Sequence, residues 1–280
     1  MDLQYQMKLY KDELLRIAFP DLSDEEKKSY SSVYVELCRD IRKSNERYIS
    51  EPIQSDGTTK GRRITIYNLY RQESEIINSL IIGLAHHVDF CRHGETDNTQ
   101  DFREIYQDIL FKALDADKLS YDELKNSNDY LTKKPIRNIL ASYWRDESRT
   151  ESEKIIEVRN CYEIRDVLKK MGFKYNELLQ CWEKRISCSE IGKMSSDLTA
   201  LKKDVNIITR SINKMVFAFT AYVCITGKTY DFRDILKSNG YRFDDKKWTK
   251  KIINHQFLSE QEKILALLPK GQGIKVEMTY

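Results

Sequence analysis

Hydrophobic positions recur at helical spacing over residues 7–18, the pattern of an amphipathic helix, and Pro20 ends that stretch. Ser23-Asp24-Glu25-Glu26 then offers a capping box. The pattern predicts a second helix from there, running through Tyr34, Leu37 and Ile41 toward Tyr48. Residues 50–60, rich in Ser, Gly and Thr, predict a loop. A strand over 61–69 leads into a helix over 73–90, and an amphipathic stretch ends at Leu114. Near the C-terminus a short helix over 260–268 precedes a Lys270-Gly271-Gln272-Gly273 turn and a strand over 274–278.

One seam stands apart. Leu198, Leu201, Val205, Ile208, Ile212, Met215 and Phe219 alternate three and four apart, the spacing of a coiled coil. Ser195 or Ser196 caps its start. A helix packed within its own domain needs a wider stripe, and only Ile207 and Val216 broaden this one. The seam therefore predicts a long helix over 191–222 that joins two modules, and self-association or partner packing through its apolar side.

Those two modules are an internal repeat. Residues 162–176 and 230–244 both run aromatic-acidic-apolar-Arg-Asp-apolar-Leu-Lys, then a Gly, then an aromatic-basic-aromatic triplet. Each reaches a Trp after the turn, Trp182 in one and Trp248 in the other. Arg-Asp-x-Leu-Lys reads as a short helix with Gly172 or Gly240 as its C-terminal cap. The triplet reads as a strand, and a turn at Asn176 or Asp244 leads to the strand carrying the Trp. The repeat resembles a small bacterial Gly-aromatic … Lys-x-Trp module of plasmid and phage proteins, some of them linked to DNA handling. Two readings follow. In the favoured one, Phe173, Tyr175, Trp182, Tyr241, Phe243 and Trp248 form each module's core. In the other, rings stack on bases of a single strand, while Arg165, Lys169, Lys174, Arg233, Lys237 and Arg242 meet phosphates.

At residues 82–87 the chain reads Ile-Gly-Leu-Ala-His-His. A zinc peptidase helix would read His-Glu-Leu-Ala-His-His, with two His ligands four apart and a Glu that polarises the metal-bound water. With the strand before it and the helix after Gly94, this stretch resembles a SprT-like zincin domain over roughly 55–125. The resemblance places the missing ligand at Ile82, the missing general base at Gly83, and a missing third ligand at Asn98, ahead of Phe102. It therefore implies a zincin-like fold without the peptidase activity. His86, His87 and His93 lie close in sequence, but adjacent helical residues point about 100° apart. The expectation is no metal, with His86 buried and His87 and His93 at the surface.

Composition narrows the class. Hydrophobic residues make up 40% of the chain, with no 18-residue apolar run and no basic-apolar leader, so neither a membrane span nor a signal peptide is expected. The six Cys form no C-x-x-C pair, which reads as reduced thiols in a cytoplasmic protein. Residues 151–280 hold 24 Lys and Arg against 17 Asp and Glu, while the rest of the chain is mildly acidic. This bias permits nucleic acid without demanding it. No P-loop, G-x-G-x-x-G or G-x-S-x-G occurs.

The expected fold is α+β: a helical arm at 1–50, a degenerate zincin-like domain at 51–150, a module at 151–190, the long helix at 191–222, and a second module at 223–280. A retired peptidase domain beside DNA-handling modules is similar to the arrangement in ArdC-type antirestriction proteins. That implies a non-catalytic binding protein of a phage or other mobile element, one that grips a host defence protein complex and needs no cofactor. The alternative is a nucleic-acid-binding protein acting through the two modules. A third reading is a peptidase with a rebuilt metal site.

Overall fold

The computed structural model describes residues 3–38, 40, 44–50, 53–55, 58–97, 99–127, 134–144, 151–268 and 273–279. The chain is α+β and forms two compact units, Met1–Tyr175 with Cys181–Phe217, and Asn176–Gln180 with Ala218–Tyr280.

In the first unit, α1 (Leu3–Ala18) buries Met7, Leu14, Leu15 and Ala18 on one face. Helix α2 (Asp24–Ser31) opens on the expected capping box, in which Ser23 and Glu26 satisfy each other's backbone N–H. It stops far short of Tyr48. Val33, Tyr34 and Val35 favour extended backbone, and the chain enters β1 (Tyr34–Leu37) and then β2 (Glu46–Ile49). A hairpin, β3 (Ile53–Ser55) with β4 (Thr58–Lys60), replaces the expected loop. Strand β5 (Arg63–Ile66) lies between β1, to which it is parallel, and β2, to which it is antiparallel. The expected boundary at residue 50 thus cuts through one sheet, and residues 1–50 are not a separate helical arm.

Helix α3 (Glu73–His93) packs on this sheet, with α4 (Gln100–Asp115) beside it. Helix α3 comes close to β5 at Gly83, where a Cβ would collide with Cγ2 of Ile64 and lie 3.0 Å from its Cγ1. Short helices α5 (Tyr121–Lys125) and α6 (Lys134–Ala141) follow.

Next comes a four-stranded antiparallel sheet. Its elements in chain order are β6 (Glu153–Arg159), a 3-10 turn at Tyr162–Ile164, α7 (Arg165–Lys170), β7 (Lys174–Asn176), β8 (Cys181–Ser187), α8 (Ile191–Leu201) and β9 (Asn206–Ser211). The strand order is β7-β8-β6-β9. The second unit runs through the same sequence: β10 (Thr220–Thr226), a turn at Tyr230–Phe232, α9 (Arg233–Ser238), β11 (Arg242–Asp244), β12 (Lys247–Ile253), α10 (Phe257–Leu267) and β13 (Lys275–Thr279). Its order is β11-β12-β10-β13. Both are βαββαβ sheets with the first strand in the middle, the split-βαβ or ferredoxin-like arrangement.

Each first helix ends in the same way. Gly172 and Gly240 take φ of 83° and 82°, which suits a residue without Cβ. The following Phe173 and Tyr241 amides donate to Leu168 and Leu236 carbonyls at 3.0 Å, closing a Schellman motif. In the first module the core then gathers Ile156, Val158, Leu168, Phe173, Ile186 and Leu198.

The long connecting helix over 191–222 does not form. Helix α8 ends at Leu201, and residues beyond it become β9 and its flanking turns. Ile207, Ile208 and Thr209 are β-branched, and they gain more by pairing with β6 than by extending a helix. The expected seam is therefore dispersed: Leu198 is buried in its own module, Val205 packs against that core, and Met215 is buried elsewhere. Leu201, Ile208 and Ile212 are partly exposed and share no helical face. The argument for self-association through that helix falls with it. Among the described residues, no helix is long and apolar enough to cross a membrane.

Candidate functional site

Helix α3 places its three histidines in three different settings. His86 is half-buried, with its ring stacked 4.0 Å from Phe102 and 6.3 Å from Tyr48, and its Nδ1 lies 2.9 Å from the Thr96 hydroxyl. Burial pushes its pKa down. His87, expected at the surface, is fully buried. Its Nε2 faces the Ser29 carbonyl at 3.1 Å and its Nδ1 faces the Tyr48 hydroxyl at 3.1 Å. Nε2 must therefore carry the proton, and Nδ1 accepts from Tyr48. Burial pushes this ring down to about 4, with Arg62 and Lys11 contributing in the same direction. His93, exposed as expected, pairs with buried Asp89 at 2.8 Å. The position expected to be general base, Gly83, faces β5 with no room for a carboxylate side chain. Asn98 lies outside the described residues.

Among the described residues, the group with metal-ligand character is Glu157, Cys181 and Glu183, on the first module's sheet. A guanidinium already occupies it. Arg210 donates from Nε to Glu157 at 2.5 Å and from Nη2 to Glu183 at 3.0 Å, and Arg159 reaches Glu157 at 3.2 Å. Two carboxylates neutralised in this way leave a cation little to gain.

The repeat motifs build a different site. In the second unit, Trp248 is buried and donates from Nε1 to the Thr229 hydroxyl at 3.2 Å. Phe243, paired with Trp248 across the β11–β12 hairpin, tilts over it at 5.1 Å and stays 60% exposed. Tyr230 begins the 3-10 turn and is 76% exposed, and Arg233, three residues on, sets its guanidinium 5.0 Å over that ring. These rings border an open cleft of about 670 Å³. Lys228, Arg233, Lys237 and Lys246 line it, opposed by the single carboxylate of Asp231. No histidine or cysteine lines it.

The first module repeats the constellation. Tyr162 is 75% exposed beneath Arg165, whose guanidinium is 4.5 Å from the ring. Tyr175, half-exposed, tilts on Trp182 at 5.5 Å, and Lys169 Nζ lies 5.8 Å over the Trp. Lys184 sits over Phe173 as Lys250 sits over Tyr241.

The expectation that the repeat aromatics are core holds for Phe173, Tyr241 and Trp248, which are buried. Trp182 is half-buried. It is corrected at Tyr175 and Phe243, which stay exposed at the end of each triplet. Of the six expected basic residues, Arg165, Lys169, Arg233 and Lys237 accompany the rings. Lys174 and Arg242 are exposed between two ring positions, and strand alternation turns them to the other face. The sequence reading missed Tyr162, Tyr230, Lys228 and Lys246. The signal for the first two was present: a Tyr three residues before an Arg at a helix start puts the cation over the ring. Compared with known proteins, this chain matches no family model, no curated protein and no solved structure.

Proposed function

We propose that this protein binds single-stranded nucleic acid through its two βαββαβ modules and carries out no peptide hydrolysis. The observation that carries the reading is the second unit's cleft, where exposed Tyr230 and Phe243 stand among four cationic side chains. Exposed ring faces accept bases whatever their sequence, and surrounding Lys and Arg follow the backbone charge. The recurrence of Tyr over Arg, and of a second ring on Trp, in the first module supports a common role for both copies, as duplicated units of one design. Against peptidase chemistry stand Ile82, the crowding at Gly83 and the engagement of both His87 ring nitrogens by the Ser29 carbonyl and the Tyr48 hydroxyl.

The reading as a mobile-element protein that grips a host defence complex rests on resemblance alone. Purification of the tagged full-length chain from its host, with and without nuclease, separates the two. Co-purifying nucleic acid that nuclease removes is expected. A stoichiometric protein partner that survives nuclease, with no bound strand, would contradict the proposal.

A further inference from the structure

Resting on that reading, we propose that the two modules are unequal: the second unit's cleft grips phosphates and anchors the strand, while the first module chiefly stacks bases. The aligned repeats carry the argument. With Tyr162 matched to Tyr230 and Trp182 to Trp248, Asn160 stands where the second copy has Lys228, and Gln180 where it has Lys246. The ring geometry is common to both copies, whereas two of the four cations belong to the second alone.

The hairpin that presents Lys246 gives independent support. Asp245 and Lys246 have φ of 45° and 58°, a turn in which Asn and Gly are the favoured residues. A lysine there is conformationally disfavoured, yet its side chain lines the cleft beside Phe243 and Trp248. Among the described residues, Lys228, Lys237 and Lys246 have no carboxylate within ion-pair distance, whereas Lys169 of the first module leans on Asp166 at 3.6 Å. Their charge is available to a polyanion. The cleft volume and its two exposed rings suit a short run of nucleotides, with bases on Tyr230 and Phe243 and the linking phosphates on the lysines.

The test uses the full-length protein and a fluorescein-labelled oligothymidylate of about twelve nucleotides, within the usual span of such sites, with anisotropy followed over a salt series. Lys228→Asn with Lys246→Gln, which installs the first module's residues, should weaken binding about tenfold and flatten the slope of log K against log salt by about 1.4, two phosphate contacts at about 0.7 each. Arg165→Ala with Lys169→Ala should change the slope less. Lys246→Gly, a residue suited to positive φ, should keep or raise the melting temperature while still weakening binding. If the wild-type chain binds no strand, both the nucleic-acid reading and this inference fall. Wild-type binding with an unchanged slope in Lys228→Asn/Lys246→Gln, unchanged affinity in Lys246→Gly, or a larger effect from the first-module pair would overturn the inequality and leave the nucleic-acid reading standing.

Discussion

Replacing His87 with Gln should remove a defined part of the protein's acid sensitivity. The ring is fully buried, held neutral by the Ser29 carbonyl and the Tyr48 hydroxyl, and titrates at about 4 against an ordinary 6.5. As pH falls below 6.5 the unfolded chain takes up this proton first, so the folded state loses relative stability. The contribution of the neutral ring is complete above that value and is drained as pH falls through 4. Linkage with these two values gives a loss of about 2 kcal/mol at pH 5 and about 3 kcal/mol at pH 4. His86, also lowered by burial, adds to the same slope, so the informative quantity is the difference between wild type and His87→Gln. Urea unfolding followed by far-ultraviolet circular dichroism at pH 7 and pH 5 measures it. The variant should be less stable at pH 7 but lose about 2 kcal/mol less on acidification. Parallel losses in the two proteins, or an NMR titration placing the His87 midpoint near 6.5, would refute the buried-neutral assignment.

Two further outcomes follow from packing. Gly83→Ala gains about 1 kcal/mol of helix propensity, but its methyl group enters the space of Ile64. Overpacking at about 1–3 kcal/mol should win, and Ile64→Val in the same chain should recover part of the loss in a thermal melt; a Gly83→Ala variant as stable as wild type would contradict the close approach. Trp248→Ala should cost about 3–5 kcal/mol, as expected for a buried large ring, while Phe243→Ala should cost under about 1 kcal/mol and still weaken strand binding. Equal destabilisation by the two would put Phe243 in the core.

Several elements were legible in the sequence because local chemistry decides them. Ser23 and Glu26 fix the start of α2, and Gly172 and Gly240 fix the ends of α7 and α9, through hydrogen bonds and backbone angles that span only a few residues. The apolar register of α3 and α4 is equally local. What could not be read was decided by distant partners. Residues 34–37 and 46–49 became strands because β5 lies between them, and Ile207 to Thr209 left their helical spacing because β6 offered an open edge. The same holds for the site. The motif named Tyr175, Phe243 and the cations Arg165, Lys169, Arg233 and Lys237, but it passed over Tyr162 and Tyr230 and did not show that Tyr175 and Phe243 stay exposed while Phe173 and Tyr241 are buried. Lys228 and Lys246 lie outside the helix-to-strand motif, one in the turn before Tyr230 and one in the β11–β12 turn, and meet only where the fold brings both turns to one cleft.

The claim that exposed rings of the two modules hold a strand is tested most directly by ultraviolet crosslinking. An unmodified single strand is irradiated with the full-length protein, and the crosslinked peptides are mapped by mass spectrometry. The account predicts adducts at Tyr230 and Phe243, with weaker ones at Tyr162 and Tyr175. Adducts confined to α3 and α4, or a saturated complex with none at these four rings, would contradict it.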